Sequence, residues 1–164
     1  MKTIIGIMGP GESAGEEVCA FAESTGAALA KAGFVVLSGG RAEGVMEAAM
    51  KGAANAGGLT IGILPGSDKK GMSEYVEIPV FTGIGHARNA VNVLSSEMVV
   101  AIGLGPGTAS EVSMAIKMKK PVILACMDEL DVQFFSRLGE VVAASTPEDI
   151  VTIIRHKYNQ NAHI

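Results

Sequence analysis

Short apolar runs rich in β-branched residues alternate with helical patterns along the whole chain. The runs predict strands near residues 3–8, 34–37, 59–64, 75–79, 98–103, 121–125 and 141–144. The stretches between them predict helices near 13–32, 43–56, 85–95, 107–119, 131–137 and 147–157. Such alternation is typical of right-handed βαβ units, so we expect an α/β fold with a doubly wound, largely parallel sheet and helices on both faces. No linker or repeat interrupts the pattern, which predicts one Rossmann-like domain over residues 1–164.

Three of the predicted strands run into glycine-rich turns that open a helix. Backbone N–H groups at the positive end of a helix bind anions, phosphate above all. Because the carboxyl ends of parallel strands meet at one edge of a sheet, the three turns predict a single phosphate-binding cleft. The candidate binding residues in these turns are Gly9, Gly11, Ser13, Gly39, Gly40, Gly44, Gly105, Gly107 and Thr108.

The first turn fits the dinucleotide pattern G-x-G-x-x-G/A, but that pattern also needs an acidic residue about 20 positions later for the ribose. The second strand ends in Ser38-Gly39-Gly40 instead, which disfavours a nicotinamide or flavin dinucleotide and leaves a mononucleotide open. Taken alone, these first glycines are explained equally well by a tight turn. No Gly-Lys-Ser/Thr sequence occurs, which excludes a Walker-type nucleoside triphosphatase.

Two charged residues are candidates for chemistry in the cleft. Arg88, near the start of a predicted helix, is interpreted as a phosphate clamp, as a partner that neutralises Glu111, or as a solvated surface arginine. Glu111 follows Thr108 at the spacing of a capping box, a purely structural role that Ser13 and Glu16 repeat on the first helix. Alternatively, the Glu111 carboxylate acts as a general base or holds a sugar hydroxyl. His86 is interpreted as a polar residue at a helix start rather than as a base.

The composition excludes several classes of binding partner. A net charge of −4 and 4% aromatic residues argue against nucleic-acid binding. Mean hydropathy is +0.36, yet no apolar run approaches the roughly 18 residues of a membrane span. Cys19 and Cys126 lie in apolar stretches of the sequence, so we expect both to be buried, reduced thiols in a cytoplasmic protein. We expect no metal site. The polar loop 65–74 is predicted to be mobile and able to cover a ligand, and the polar end 159–164 to be frayed.

Over nearly its whole length the chain resembles a Rossmann-like superfamily. This superfamily includes the cytokinin-activating phosphoribohydrolases (LOG enzymes, often mislabelled lysine decarboxylases), the molybdenum cofactor carrier proteins and DprA-related proteins. The resemblance is carried by Ser38-Gly39-Gly40 through Met46, by 56–58 and 61–65, by Arg88 at the position of the family's active-site arginine, and by Gly105, Gly107, Thr108 and Glu111 on its P-G-G-x-G-T-x-x-E motif. Leu104 and Pro106 alter the front of that motif. Ser110 stands where the hydrolases commonly have a second glutamate, and Asn89 replaces the lysine that usually follows the arginine.

These departures are closer to the carrier and DprA-related branch than to the hydrolases. The resemblance therefore implies a cytoplasmic binding protein for a phosphorylated, nucleotide-like ligand such as a nucleoside monophosphate or molybdenum cofactor. No cofactor is required, and a homodimer or higher homo-oligomer is expected. The alternative is a phosphoribohydrolase that cleaves the N-glycosidic bond of nucleoside 5′-monophosphates, with Arg88 and Glu111 as catalytic residues. A lysine decarboxylase is disfavoured, because no lysine has a setting suited to pyridoxal phosphate. No membrane partner is expected.

Overall fold

A computed structural model describes residues 2–161 and confirms the alternation of strands and helices. Every predicted strand and helix is present, with most boundaries within three residues of the prediction. The strands are β1 (Ile4–Met8), β2 (Val35–Ser38), β3 (Thr60–Leu64), β4 (Ile78–Phe81), β5 (Met98–Ile102), β6 (Val122–Ala125) and β7 (Val142–Ala143). The helices are α1 (Glu16–Lys31), α2 (Gly44–Asn55), α3 (Arg88–Ser95), α4 (Pro106–Lys117), α5 (Glu129–Ser136) and α6 (Pro147–Asn161), with a 3-10 turn at Gly85–Ala87 before α3.

The strands form one sheet in the order β4-β3-β2-β1-β5-β6-β7, and every neighbouring pair is parallel. The chain therefore winds outward in one direction from β1 through β4 and then crosses back to β5 on the other side of β1. This reversal between β1 and β5 is the topological switch point at which open α/β sheets bind ligands. The α/β Rossmann-like prediction is confirmed.

Helices cover both faces of the sheet and bury two apolar clusters. On one face α1 packs against α2 and α6 over Ile5, Ile7 and Val36. On the other face α3 packs against α4, and Phe135 of α5 joins a cluster that includes Leu37 and Val99. Strands buried on both faces explain the high apolar fraction of the sequence.

Helices α1 and α2 approach each other closely because glycines face the contact. A Cβ atom on Gly52 would lie 1.9 Å from the Glu23 carbonyl oxygen, and one on Gly26 would lie 2.2 Å from the Ala49 oxygen. Only a residue without a side chain fits at such distances.

The structure corrects several local predictions. Helix α1 begins at Glu16 with Gly15 as its N-cap and no side-chain cap, so the predicted box of Ser13 and Glu16 is wrong. Cys126 is exposed and Cys19 half-buried, so the prediction that both thiols are buried is wrong. Helix α6 continues to Asn161, past the predicted start of the frayed end, and residues 162–164 lie outside the described residues. No helix within residues 2–161 is long and apolar enough to cross a membrane.

Candidate functional site

A cleft of about 510 Å³ opens at the carboxyl edge of the sheet, at the switch point between β1 and β5. Its size is in the usual range for a small-molecule site. The turns after β1, β2 and β5 contribute to its lining together with helix α3, so segments from both faces of the sheet meet there. The lining residues are Ile7–Ser13, Gly39, Arg41, Glu43, Met46, His86, Arg88, Asn89, Asn92, Gly105–Thr108 and Glu111.

The turns after β1 and β5 contact each other across the cleft. A Cβ atom on Gly105 would lie 3.3 Å from Pro10 Cβ, and one on Gly9 would lie 2.5 Å from the Ile102 carbonyl oxygen. Pro106 is at the first position of α4 and has no N–H, so the free N–H groups at this helix end begin with the next residue. The hydroxyl oxygen of Thr108 is buried and has no hydrogen-bond partner.

Of the nine glycine-turn residues predicted to bind the anion, seven line the cleft: Gly9, Gly11, Ser13, Gly39, Gly105, Gly107 and Thr108. Gly40 and Gly44 do not. Gly44 has φ +55°, and a Cβ atom there would lie 2.1 Å from the Gly11 carbonyl oxygen; the next residue, Val45, donates its N–H to Pro10 O at 3.0 Å. Gly40 has φ +72° and packs on Gly62. These two glycines contact neighbouring backbone and are not among the cleft-lining residues, so their role in anion binding stays a prediction.

Arg88, the first residue of α3, reaches the turn after β2. Its guanidinium lies on Gly39, where a Cβ atom would be 2.6 Å from Nη2. The Nη1 group donates to Asn89 Oδ1 at 2.8 Å, while the buried Nε has no partner. Only 8% of Arg88 is exposed, so its interpretation as a solvated surface arginine is wrong. Arg88 is thus a buried charged group with one donor that the described residues leave unused.

The Glu111 side chain lines the cleft and does not cap the end of its helix. Helix α4 begins at Pro106 with Gly105 as N-cap, which makes Thr108 the third helical residue, so the predicted capping box of Thr108 and Glu111 is wrong. The Glu111 carboxylate is 5% exposed, and its Oε1 accepts a hydrogen bond from Asn92 Nδ2 at 2.8 Å. It forms no ion pair with any described residue, so the predicted neutralisation of Glu111 by Arg88 does not take the form of a direct contact.

Burial controls the electrostatics of both charged groups. Desolvation raises the pKa of the Glu111 carboxyl, opposed by the Asn92 hydrogen bond and by the Arg88 charge. Desolvation likewise lowers the pKa of Arg88, opposed chiefly by the Glu111 charge. The two charges therefore stabilise each other at a distance, while each keeps hydrogen-bonding atoms free for a ligand.

Sequence reasoning missed Asn92, which is fully buried. Its spacing of four residues from Arg88 is a signal that could have found it, since i and i+4 share one helix face. His86 lines the cleft as an exposed residue of the 3-10 turn. The loop 65–74 does not line the cleft; it is joined to the turn after β2 by the N–H groups of Ala42 and Ser73, which donate to Gly71 O and Gly40 O.

No group of three or more His, Cys, Asp and Glu residues within the described part of the chain could hold a metal ion. The acidic and basic residues at the other rim of the cleft pair with each other, Arg41 Nε lying 2.7 Å from Glu43 Oε1.

Comparison with known proteins places these features in a family. The family model described as SLOG cluster4 matches residues 2–151. A protein of Archaeoglobus fulgidus is 39% identical over 130 residues, which cover 75% of this chain and 84% of that protein.

Two solved structures are similar over nearly the full length. The molybdenum cofactor binding protein from the phototrophic bacterium Rippkaea orientalis is 47% identical with a TM-score of 0.94, covering 96% of this chain and 98% of that one. The molybdenum cofactor carrier protein of Chlamydomonas reinhardtii is 44% identical with a TM-score of 0.90, covering 95% and 98%. The predicted resemblance to the superfamily is confirmed.

Proposed function

The chain belongs to the SLOG cluster4 family, and from this premise we propose that it is a binding protein for a small phosphorylated, nucleotide-like ligand, with molybdenum cofactor as the candidate cargo. The single observation that carries the proposal is that buried polar atoms of one cleft are left unused, two of which can donate a hydrogen bond to a phosphate. Arg88 Nε and Thr108 Oγ1 are buried without partners, and both residues line the cleft between glycine turns. Buried polar groups are normally paired, so a ligand that completes them is expected.

The residues present fit a terminal phosphate. The Arg88 guanidinium supplies a fixed positive charge, and the start of α4 supplies backbone N–H groups at a positive helix end. The glycines of the turns after β1 and β5 let the phosphate approach the backbone. Glu111 lines the same cleft, and its carboxylate repels an anion, so it suits the uncharged part of the ligand.

Molybdenum cofactor has the required shape, a pterin with a terminal phosphate that brings its own metal. As cargo it needs no resident metal ligands from the protein. The names of the two similar structures, at 44% and 47% identity, support this candidate. A nucleoside monophosphate offers the same combination of heterocycle and phosphate.

Native mass spectrometry of the gently purified protein tests the proposal. We expect a retained mass that is lost on denaturation, and we expect Arg88→Ala to lose it while remaining folded. The proposal is wrong if the protein retains nothing and binds neither AMP nor GMP in titrations.

A second candidate, the phosphoribohydrolase, is favoured by the freedom of Glu111 from any capping role. In that reaction water adds to the ribose C1′, the C1′–N bond breaks, and free base and ribose 5-phosphate result. Glu111 would accept the proton of the attacking water or stabilise the positive sugar. Release of adenine from AMP that Glu111→Gln abolishes would establish this function; we expect no release by the unmodified protein.

We also propose that the protein is a homodimer in the cytoplasm. The structure leaves apolar side chains exposed at β4 and the turn that follows it, among them Val80, Phe81 and Ile84, which suit a contact between copies. Neither Cys19 nor Cys126 forms a disulfide, which suits a reducing compartment.

A further inference from the structure

One buried hydrogen-bond acceptor at the floor of the cleft is left unused by the protein. Asn92 is 0% exposed, and its Nδ2 group donates to Glu111 Oε1 at 2.8 Å. That bond fixes the amide, so its Oδ1 atom is defined, and Oδ1 is buried without any partner. A residue that only supported Glu111 would not need a free acceptor beside the cleft.

The carboxylate next to it is also available. Glu111 Oε1 has a second lone pair and Oε2 is not bonded to any described side chain, since Asn92 is the sole partner found for this group among residues 2–158. The floor thus presents two neighbouring acceptor groups, an amide oxygen and a carboxylate. Acceptors repel phosphate, so the complementary part of a ligand must carry hydrogen-bond donors.

We propose that Asn92 and Glu111 together bind a 2-amino lactam edge, the ring N–H and adjacent amino group that pterins and guanine share, and that Asn92 sets this specificity. This inference rests on the proposed function, because it assumes that Arg88 and the glycine turns hold the phosphate of the same ligand in this cleft. A 2-amino lactam carries three N–H donors in one plane. A carboxylate accepts two parallel N–H groups in a forked arrangement, and the free Asn92 Oδ1 accepts the third.

Other ligand edges match this floor less well. The adenine edge carries one amino group beside ring acceptors, which would face the carboxylate and the amide oxygen. Hypoxanthine has the lactam N–H but lacks the amino group. Ribose hydroxyls also donate hydrogen bonds. They are identical in GMP, IMP and AMP, so they do not contribute to a difference in affinity between these nucleotides.

The test is calorimetric titration of the unmodified protein with GMP, IMP and AMP, which share the same phosphate and ribose, with chromatography to confirm that the nucleotides stay intact. We expect GMP to bind at least about 10-fold more tightly than AMP, with IMP between them. In Asn92→Ala, GMP affinity should fall by about 10-fold and the GMP-to-AMP ratio should shrink to within about threefold.

Asn89→Ala is the matched control, because Asn89 is an amide on the same helix that contacts Arg88 instead of Glu111. This variant should weaken the binding of all three nucleotides by one factor and leave the ratios of their affinities unchanged. If Asn92 only supported Glu111, Asn92→Ala would also weaken the binding of all three nucleotides by one factor. The GMP-to-AMP affinity ratio therefore distinguishes a specificity residue from a supporting one.

The ranking in the unmodified protein needs no variant and therefore tests the inference even if Asn92→Ala fails to fold. Equal affinity for the three nucleotides would overturn the inference while leaving the proposed function intact. A GMP-to-AMP ratio that survives Asn92→Ala would overturn it as well. Absence of binding by all three nucleotides would also overturn the inference, and it would overturn the proposed function only if native mass spectrometry shows no retained ligand either.

Discussion

Replacing Gly39 by alanine should disable Arg88 without removing its charge. A Cβ atom at Gly39 would lie 2.6 Å from Arg88 Nη2 and 2.7 Å from both Cζ and Nη1. Gly39 does not have a positive φ, so alanine is compatible with the backbone there. The clash therefore falls on the guanidinium, which has to move away.

The size of the effect follows from the required displacement. Non-bonded heavy atoms rest at about 3.5 Å or more, so the guanidinium must shift by about 1 Å. The 2.8 Å bond from Nη1 to Asn89 Oδ1 fixes its present position and would be broken or strained. A misaligned charged hydrogen bond forfeits about 1.5–3 kcal/mol of binding, which corresponds to a loss of affinity of roughly 10- to 150-fold.

The assay is AMP titration of the unmodified protein, Gly39→Ala, Arg88→Ala and the double variant. We expect both single variants to weaken binding by similar factors, and the double variant to be no weaker than Arg88→Ala alone, because both changes act on one group. Gly15→Ala serves as the control: no atom lies within 4 Å of its Cβ position, and it is outside the cleft.

Thermal melts complete the comparison, since a flexible side-chain end absorbs the clash and the folded state should lose little stability. The reasoning is refuted if Gly39→Ala weakens AMP binding equally in the Arg88→Ala background, or if it leaves affinity unchanged.

Three further predictions concern Glu111, the helix contact and assembly. Because burial raises the pKa of Glu111, the folded state keeps this proton to higher pH than the unfolded chain, so stability should fall as pH rises above the ordinary value of 4.5. Urea titrations should show a smaller fall in Glu111→Gln, and identical pH profiles would contradict this. Gly52→Ala should destabilise the protein by about 1–3 kcal/mol in urea unfolding, because its Cβ would overlap the Glu23 oxygen; an unchanged midpoint would show that α1 and α2 separate freely. Sedimentation should give a dimer at micromolar concentration, and a monomer would exclude the proposed assembly.

The fold could be predicted from the sequence because its signals are local. Apolar runs such as Met98–Ile102 and the helical periods between them determine strand and helix, and their alternation determines a parallel sheet. Element order across the sheet then places the turns after β1, β2 and β5 side by side, which is why most of the glycine-turn residues lie in one cleft.

The errors arose where a tertiary contact decided the role of a residue. The Thr108 and Glu111 spacing matches a capping box, but Pro106 begins the helix earlier and leaves the carboxylate free to meet Asn92. Gly44 has the local sequence of a phosphate turn, yet it lies outside the cleft lining and packs closely on the backbone of Gly11, which lies on a distant part of the chain. Cys126 directly follows the buried strand β6, which ends at Ala125, and is exposed.

The strand order also governs when the cleft can exist during synthesis. β1 pairs with β2 on one side within the first 40 residues, but its other neighbour, β5, is made only after residue 97. Until then β1 is an open edge of a half-built sheet, and the turns that follow β1 and β2 have no partner in α4. A nascent chain shorter than about 120 residues therefore has no ligand site, since α4 and its Glu111 complete the cleft last. Long-range parallel pairing of this kind is slow to form, so ligand capture belongs to the last stage of folding and not to its beginning.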